Sequence, residues 1–325
     1  MADKYVVTGG AGFIGSNLVR ALNDQGFTNI MIVDSLGTGT KWQNLNGLVF
    51  EDMISKKEFY QHYLQDLKPL QNEYIFHLGA CSDTREPNAD YLLRNNHLFT
   101  VELAKYCNYR GYCLLLASSA ATYGNLKEVL KDDEEELDEL RPQTMYGLSK
   151  HLTDLWLYRH GHMGRTVSLK FTNVYGPGEC HKGEMCSVAR KIYYQAHEHS
   201  VIRLFKSYRE GIADGEQKRD FIYIDDVIEI LLHFLERPDL NGMYNVGSGR
   251  AESWNQVAKC AQDCLKTPAK VEYIEMPEHM RDSYQYHTKA NIDKLRKEAG
   301  YEEEMITLRE GIKQYYEYLG KKGSL

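Results

Sequence analysis

The feature that most constrains the fold is a glycine-rich loop near the start of the chain. Residues 4–8 have the composition of a β-strand, and residues 13–23 have the periodicity of a helix. Gly9, Gly12 and Gly15 recur at every third position. The first two lie between these segments, and Gly15 lies within the helical one. Small residues in such a loop let the backbone approach a pyrophosphate, which the free N–H groups at the helix N-terminus can bind. The pattern predicts a dinucleotide-binding loop of the Rossmann type.

An acidic residue after the next strand bears on the choice of cofactor. Residues 30–33 form a second apolar run, and Asp34 follows it directly. A carboxylate at this position can bind the adenosine ribose hydroxyls of NAD. Lys41 and Lys56 lie close to the ends of the second and third strands, where they could pair with the 2′-phosphate of NADP. From the residues alone, both lysines could equally be ordinary surface residues, so NADP and NAD both remain open.

The alternation of strand and helix continues through the first half of the chain. It predicts strands at residues 74–78, 112–117 and 167–171, and helices at 95–110 and 144–160. The later chain is expected to add strands at 221–224, 243–246 and 271–274, and helices at 187–197, 227–236, from 254 and at 307–320. This order predicts an α/β fold with a Rossmann, doubly wound parallel sheet. We expect residues 1–174 plus about 221–247 to form the dinucleotide-binding domain, and about 175–220 plus 248–325 to form a smaller, discontinuous substrate lobe.

Composition excludes several classes of function. The net charge of −7 argues against a nucleic-acid partner, which needs a concentrated basic face. The seven cysteines form no Cys-x-x-Cys pair, which is typical of reduced thiols, and Cys260 and Cys264 lack a matching histidine pair, so no metal is expected. The sequence has neither a signal-peptide pattern nor a membrane-length apolar run, and it predicts a cytoplasmic protein with no membrane partner. The acidic run at 131–139 is expected to be a solvated surface loop.

Three residues could carry acid–base chemistry. Tyr146 and Lys150 are four residues apart in the predicted helix 144–160, so they share a face. A phenol is a poor base at neutral pH unless a nearby cation lowers its pKa, and Lys150 is placed both to do so and to hold the nicotinamide ribose. Ser119, in a serine pair that ends the strand at 112–117, could polarise a carbinol oxygen beside Tyr146. The Tyr-x-x-x-Lys spacing is a weak signal among 24 tyrosines, and the serines give it weight.

Several motifs together resemble a known family. They are the loop at 8–15, Ala-Ser-Ser-Ala-Ala-Thr-Tyr-Gly at 117–124, the Tyr146 and Lys150 pair, Asn-Val-Tyr-Gly-Pro at 173–177 and Lys-Arg-Asp-Phe-Ile-Tyr at 218–223. These are similar to the motifs of the extended short-chain dehydrogenase/reductase family. Within it, Gly-Ala-Cys-Ser at 79–82, His-Lys-Gly-Glu-Met at 181–185 and the string at 247–253 resemble the ADP-L-glycero-D-manno-heptose 6-epimerases. The resemblance runs along almost the whole chain.

The resemblance implies epimerisation at carbon 6 of an ADP-linked heptose by transient oxidation with bound NADP. Such a reaction needs two acid–base groups, and the resemblance assigns these roles to Tyr146 and Lys182, with Ser119 orienting the oxygen. A lysine in this role needs a lowered pKa, from burial or from cationic neighbours such as His181 and Lys191. From the residues alone, Lys182 is more simply a phosphate-binding or surface lysine.

The resemblance also implies the ligand-binding positions. The cofactor would be lined by Gly9, Gly12, Phe13, Ile14, Gly15, Asp34, Ser35, Lys41, Lys56, Leu78, Gly79, Ala80, Cys81, Ser82, Asn95, Lys150 and Val174. The nucleotide sugar would face Asn173, Glu184, Lys191, Phe205, Lys206, Ser207, Tyr208, Arg219 and Tyr284. Two departures from the family are the longer stretch at 207–217 and Glu184, where a small hydroxyl residue also occurs. The family further suggests a homo-oligomer, in particular a pentamer.

Two other functions fit the same residues. A sugar-nucleotide 4-epimerase acting on a hexose could work with Tyr146 alone, and an unaltered rate after Lys182→Ala would favour it. A non-catalytic dinucleotide sensor would keep the glycine loop, but the joint presence of Ser119, Tyr146 and Lys150 argues against it. A 4,6-dehydratase is disfavoured because Ala120 and Ala121 follow the serines where adjacent carboxylates are expected.

Overall fold

The computed structural model describes residues 4–70, 74–124, 129–265, 269–281 and 284–322. Its strands are β1 (Tyr5–Thr8), β2 (Ile30–Val33), β3 (Asp52–Ile54), β4 (Tyr74–His77), β5 (Cys113–Ser119), β6 (Thr166–Phe171), β7 (Asn173–Tyr175), β8 (Val201–Phe205), β9 (Lys218–Tyr223), β10 (Gly242–Val246), β11 (Ala251–Ser253) and β12 (Lys270–Ile274). Its α-helices are α1 (Phe13–Asp24), α2 (Lys56–Phe59), α3 (Ala89–Leu92), α4 (Phe99–Arg110), α5 (Met145–Arg159), α6 (Val188–His199), α7 (Ile224–Leu235), α8 (Trp254–Cys264), α9 (Glu278–Arg281), α10 (Asp293–Lys297) and α11 (Leu308–Lys322).

A seven-stranded parallel sheet forms the centre of the molecule, in the order β10-β6-β5-β4-β1-β2-β3. The predicted α/β fold with a doubly wound sheet is confirmed. The strand order reverses between β1 and β4, where Thr8 pairs with His77. Ligands of such sheets bind beyond the carboxyl ends of the strands at this reversal. Two smaller sheets, β11-β9-β7 and β12-β8, stand apart from the central one.

Apolar side chains cover both faces of the central sheet, as a parallel sheet flanked by helices requires. Successive residues of a strand point to opposite faces. Accordingly, Val7 and Ile32 belong to one buried cluster, and Val6 and Ile75 belong to the other. The sheet is therefore held by two apolar layers, and its carboxyl edge remains for polar residues and glycines.

The predicted elements agree with the structure for the longer segments. The helix predicted at 95–110 begins earlier, at Ala89, and passes through a π-helical segment, Leu93–Leu98, before α4. The last helix begins with the expected capping box, in which Thr307 and Glu310 exchange backbone and side-chain hydrogen bonds. Strands β7, β8 and β11 were not predicted, and β3 was expected only as a third strand ending near Lys56, without bounds. The division into two domains stays a prediction.

The acidic run at 131–139 is only partly the solvated loop that its charge predicts. Asp132 is buried, and its Oδ2 accepts the backbone N–H of Asn245 (2.7 Å). Glu134 Oε1 accepts the N–H of Met243 (2.7 Å) and pairs with Lys294 Nζ (2.8 Å). Both carboxylates therefore satisfy donors on the outer edge of β10, which ends the central sheet. The unpaired backbone groups of this edge strand supply the reason for their burial.

No helix in the described ranges is long and apolar enough to cross a lipid bilayer.

Candidate active site

A cavity of about 530 Å³ lies over the carboxyl ends of the central strands. Its walls come from the glycine loop, the ends of β4 and β5, the start of α5, and the 3₁₀ turn Cys180–Met185. The predicted residues on its wall are Gly9, Gly12, Phe13, Ile14, Gly15, Asp34, Lys41, Leu78, Gly79, Ala80, Ser82, Ser119, Tyr146, Lys150, Asn173, Val174 and Lys182. A second cavity of about 190 Å³ is lined by the predicted residues Ser35, Lys56, Cys81 and Asn95, and it shares Asp34 and Lys41 with the first.

The glycine loop is shaped by close backbone approach. Gly9 has φ +71°, and a Cβ there would lie 2.6 Å from the backbone nitrogen of Gly79. A Cβ on Gly15 would overlap the carbonyl oxygen of Gly9. Gly12 is the N-cap of α1 and has no side chain to accept the N–H groups of the first turn. These groups are therefore available to an anion in the cavity, where the helix dipole favours negative charge.

The buried His77 side chain links the end of β1 to helix α4. Thr8 Oγ1 accepts the Gly79 N–H (3.1 Å) and lies 2.6 Å from His77 Nδ1. His77 Nε2 lies 2.9 Å from Thr100 Oγ1 in α4. Burial lowers the pKa of His77 well below its usual value, with the charges of lysines nearby acting in the same direction, so the ring stays neutral. His77 and Thr8 were not predicted as site residues. Only their position at the ends of adjacent strands could have indicated them.

Asp34 at the end of β2 is already paired. Its Oδ1 accepts from Lys41 Nζ (2.5 Å) and from the Ser35 N–H (2.7 Å), and its Oδ2 accepts from the Ala11 N–H (3.0 Å). The ammonium of Lys41 therefore offsets the negative charge that would repel a phosphate from this corner of the site. The carboxylate also ties the glycine loop to the second strand.

Lys56 closes the second cavity from the side of α4. Its Nζ donates to Asn95 Oδ1 (2.6 Å) and to the Asn95 carbonyl (3.0 Å), and it lies 4.1 Å from the centroid of the Phe99 ring. Burial, aided by the charge of Lys150, lowers the pKa of Lys56 to about 8. An anion bound in this cavity would favour the charged form.

Tyr146, Ser119 and Lys150 meet on one wall of the larger cavity, as their motifs predict. Burial raises the pKa of Tyr146, and a hydrogen bond with the Ser119 side chain opposes this effect. The direction is opposite to the one expected from Lys150. The physical reason is that Lys150 is itself buried and donates its Nζ to the Ala117 carbonyl (2.6 Å), while burial lowers its own pKa to about 8.

Lys182 lies on a different element, in the turn Cys180–Met185. Its Nζ is 5.3 Å from the centroid of the Phe13 ring, at the start of α1. Burial lowers the pKa of Lys182, and the charges of Glu179 and Cys186 oppose that shift. The lowered pKa has the direction that acid–base chemistry requires. Its cause is burial, and the cationic neighbours named from the sequence are not needed to explain it.

The predicted substrate-facing residues are more dispersed. Arg219 is buried under two rings, with its guanidinium 5.0 Å from Tyr284 and 5.6 Å from Trp254. Glu184 is exposed and lies 3.8 Å from Lys191 Nζ. Of the predicted set, Glu184, Lys191, Phe205, Lys206, Ser207, Tyr208, Arg219 and Tyr284 are not on the walls of either cavity in the described structure.

Residues 205–208 lie off the walls of both cavities and contact other parts of the chain. Lys206 Nζ pairs with Glu275 Oε1 (2.6 Å), Tyr208 hydrogen-bonds the same carboxylate, and Ser207 N–H donates to Asp214 Oδ1 (2.7 Å). The longer stretch at 207–217 thus folds on itself and against β12.

Four residues that sequence reasoning missed line the larger cavity from the side of the smaller sheet: Phe221, Trp254, Gln285 and Thr288. Trp254 follows the Ser253 cap of α8, and its indole Nε1 donates to Tyr284 (2.9 Å). Only its position directly after the string at 247–253 could have indicated it. Within the described ranges, no cluster of three or more histidine, cysteine, aspartate or glutamate side chains could hold a metal ion.

The chain is similar to known proteins over almost its whole length. A sequence profile described as the NAD dependent epimerase/dehydratase family matches residues 5–247. The chain belongs to this family. The family's match ends just after β10 and so covers the whole central sheet.

Two relatives within the family extend the likeness to the full chain. An ADP-L-glycero-D-manno-heptose-6-epimerase of Nitratidesulfovibrio vulgaris strain DP4 is 43% identical over 311 residues, which cover 96% of each protein. The protein of the same name from Fusobacterium nucleatum is 41% identical over 329 residues, covering 98% of this chain and 99% of the relative. The resemblance identified in the sequence is therefore confirmed.

Solved structures show the same fold. The crystal structure of the Helicobacter pylori ADP-L-glycero-D-manno-heptose-6-epimerase has a TM-score of 0.82 and 28% identity, over 98% of this chain and 97% of that one. A UDP-N-acetylglucosamine 4-epimerase from Methanobrevibacter ruminantium has a TM-score of 0.83 and 26% identity, over 99% and 100%. The fold alone therefore does not separate the two kinds of epimerase.

Proposed function

We propose that this protein interconverts ADP-D-glycero-D-manno-heptose and ADP-L-glycero-D-manno-heptose by epimerisation at carbon 6, with bound NADP as the cofactor. The observation that carries the proposal is that Tyr146 and Lys182 line one cavity from two different structural elements. Inverting a carbinol centre through a ketone requires the hydride to return to the opposite face, so the carbonyl turns over and its oxygen meets a second acid–base group. Two such groups on different elements of one cavity meet that requirement. The full-length relatives bear the name of this activity.

The residues present fit a dinucleotide. A Cβ at Gly9 or Gly15 would clash with the backbone of Gly79 or Gly9, so glycine keeps the loop in the tight shape that leaves the N-terminus of α1 facing the cavity. Asp34, Lys41 and Lys56 would hold the adenosine ribose and its 2′-phosphate, and Lys150 would hold the nicotinamide ribose. When bound, the dinucleotide supplies a hydride acceptor and donor. The pairing of Lys41 with Asp34 and the presence of Lys56 in the same corner support NADP over NAD.

The side chains then divide the proton transfers. The neutral Lys182 amine would take the proton of the carbon-6 hydroxyl as the hydride leaves. After the sugar turns over, the Tyr146 phenol would return a proton to the carbonyl oxygen as the hydride returns, and Ser119 would donate a hydrogen bond to that oxygen; the reverse reaction exchanges the two roles. Burial lowers the pKa of Lys182, so a larger fraction of its amine is neutral at neutral pH than in an exposed lysine. Burial raises the pKa of Tyr146, so this residue rests as the phenol.

The test is an NMR assay of the purified protein with ADP-D-glycero-D-manno-heptose and NADP⁺. Conversion at carbon 6 without accumulation of NADPH is expected. Tyr146→Phe and Lys182→Ala should each lower kcat by about 10²–10⁴-fold, the usual contribution of a positioned acid–base group. A Lys182→Ala rate within a few-fold of wild type would refute the two-base arrangement and favour a hexose 4-epimerase. Binding of NADP⁺ without turnover of this substrate would move the search to UDP- and GDP-sugars.

We also propose, from the resemblance, that the protein forms a homo-oligomer, specifically a pentamer. Native mass spectrometry of the purified protein distinguishes a pentamer from smaller assemblies.

A further inference from the structure

Glu179 is a buried carboxylate directly before the turn that carries Lys182. It has no solvent exposure. Its Oε2 accepts the backbone N–H of Ser187 (2.5 Å), and its Oε1 accepts the hydroxyls of Ser187 (2.5 Å) and Tyr315 (2.8 Å). A buried carboxylate is costly unless several donors satisfy it, and here three donors converge on one side chain. The arrangement is more elaborate than a loop residue needs for packing alone.

The donors come from two helices that frame the turn. Ser187 is the N-cap of α6, where its Oγ also accepts the Arg190 N–H (3.2 Å), and Tyr315 lies in the last helix, α11. The turn itself starts from the same residue, because the Lys182 N–H donates to the Glu179 carbonyl (3.0 Å). The backbone of Glu179 thus begins the turn while its side chain fastens that start to α6 and α11.

The same carboxylate also exerts the largest opposing charge effect on the Lys182 amine. Its charge raises the pKa of Lys182, against the lowering by burial. The other titratable groups around the two residues are Cys186, His181, Arg190 and Tyr315. In the described part of the chain, Lys182 Nζ forms no ion pair of its own within 4.0 Å, so Glu179 acts on it through space.

We propose that Glu179 is a positioning residue for Lys182: it anchors the turn Cys180–Met185 to α6 and α11 and supplies the counter-charge of the lysine. This inference rests on the proposed role of Lys182. Glu179 does not line the cavity itself, so it acts on the reaction through the groups it holds, which are Lys182 and the cavity-lining Ser187.

The test compares Glu179→Gln with Asp226→Asn. Asp226 is also a buried carboxylate that accepts a backbone N–H, from Ile306 (3.1 Å), but it lines neither cavity. Both variants should lose stability. Only Glu179→Gln should lower kcat, by about tenfold or more, with KM within a few-fold of wild type. Only Glu179→Gln should also move the Lys182 inflection of the pH–kcat profile to lower pH, since removing an anion disfavours the ammonium.

A second readout does not depend on the proposed activity. Competitive acetylation of amines across the alkaline range, read by peptide mass spectrometry, reports the pKa of Lys182 directly. The pKa of Lys182 should fall in Glu179→Gln and stay at the wild-type value in Asp226→Asn. An unchanged Lys182 pKa in Glu179→Gln would overturn the inference, even if the enzyme were active. An inactive wild-type protein with the expected pKa change would instead count against the proposed function alone.

If Glu179→Gln does not fold, Glu179→Asp takes its place. This variant keeps the charge and withdraws the carboxylate by one methylene from its three donors. We expect kcat to fall several-fold with the Lys182 pKa near the wild-type value. A wild-type kcat in Glu179→Asp, with the fold intact, would refute the anchoring role.

Discussion

Replacing Lys170 by methionine should destabilise the protein strongly, because the change leaves a carboxylate buried without its cation. Lys170 in β6 and Asp154 in α5 are both fully buried, with Nζ and Oδ2 2.8 Å apart. Asp154 also accepts hydrogen bonds from Ser118 Oγ (2.7 Å) and Ser168 Oγ (2.8 Å). Lys170 also donates to Thr122 Oγ1 (2.7 Å). The pair therefore joins α5, which carries Tyr146, to the strands beneath it.

The structure sets the size of the effect. Removing one partner of a buried ion pair costs about 3–5 kcal/mol in the free energy of unfolding. Lys170→Met should lie near the lower end, about 3 kcal/mol, because two hydroxyl donors remain on Asp154, and such bonds to a charge contribute about 1.5–3 kcal/mol each. Asp154→Leu should lie higher in the range, since Lys170 keeps only Thr122 and the ring of Tyr123, 4.8 Å away. The double variant should cost less than the sum of the singles by about 1–3 kcal/mol, because neither charge is then left alone.

Urea denaturation followed by far-UV circular dichroism measures these free energies. The matched control is Lys105→Met, since Lys105 pairs with Glu102 at 2.8 Å but both side chains are about half exposed. That exposed pair should contribute no more than about 1 kcal/mol. Single variants at Lys170 and Asp154 that cost no more than the control, or a double variant equal to their sum, would refute the reasoning.

Three further predictions concern the cofactor site and the sheet edge. Gly15→Ala should weaken NADP binding by about 100-fold or more in calorimetry, since its Cβ would overlap the Gly9 carbonyl, whereas Gly164→Ala, which has open space around it, should bind normally. Affinity for NADP should fall as pH rises through the pKa of Lys56, about 8, because the cation is lost above it, and this fall should be smaller in Lys56→Ala, where Lys150, with a pKa of about 8, still titrates. Glu134→Ala should lower the free energy of unfolding by about 1–3 kcal/mol in urea titrations, since it leaves a backbone N–H of β10 without its acceptor.

The fold could be predicted where the sequence pattern is long and local. The runs that became β1, β2, β4 and β6 are four to six apolar-rich residues next to amphipathic helices, and their period and neighbours determine them. Strands β3, β7 and β11 have only three residues each, which is too short to show an alternation of apolar and polar residues. β8 is longer, but it directly follows α6 and precedes a polar stretch, so its strand pattern could not be separated from its neighbours.

The candidate site divides in a similar way. Glycine spacing and the Tyr146–Lys150 pair depend on backbone geometry and helix period, and both bring their residues to the same cavity. The direction of the Tyr146 pKa shift could not be predicted, because it depends on how deeply the ring is buried. Likewise, the two buried carboxylates Asp132 and Glu179 gave no local sign of burial, since Asn245 and Tyr315, which donate to them, lie far along the chain.

The carboxylates at the edge of β10 also affect whether two molecules of this protein can pair through their sheet edges. A bare edge strand offers a template on which a strand of another chain can polymerise. Here Asp132 and Glu134 already occupy the N–H groups of Asn245 and Met243, so an incoming strand would have to expel two negatively charged groups before it could pair. At neutral pH this edge therefore resists continuous sheet growth between molecules. Burial raises the pKa of Asp132, so acidification that protonates this carboxyl would weaken the protection, and the first sign would be aggregation rather than loss of the cofactor cleft.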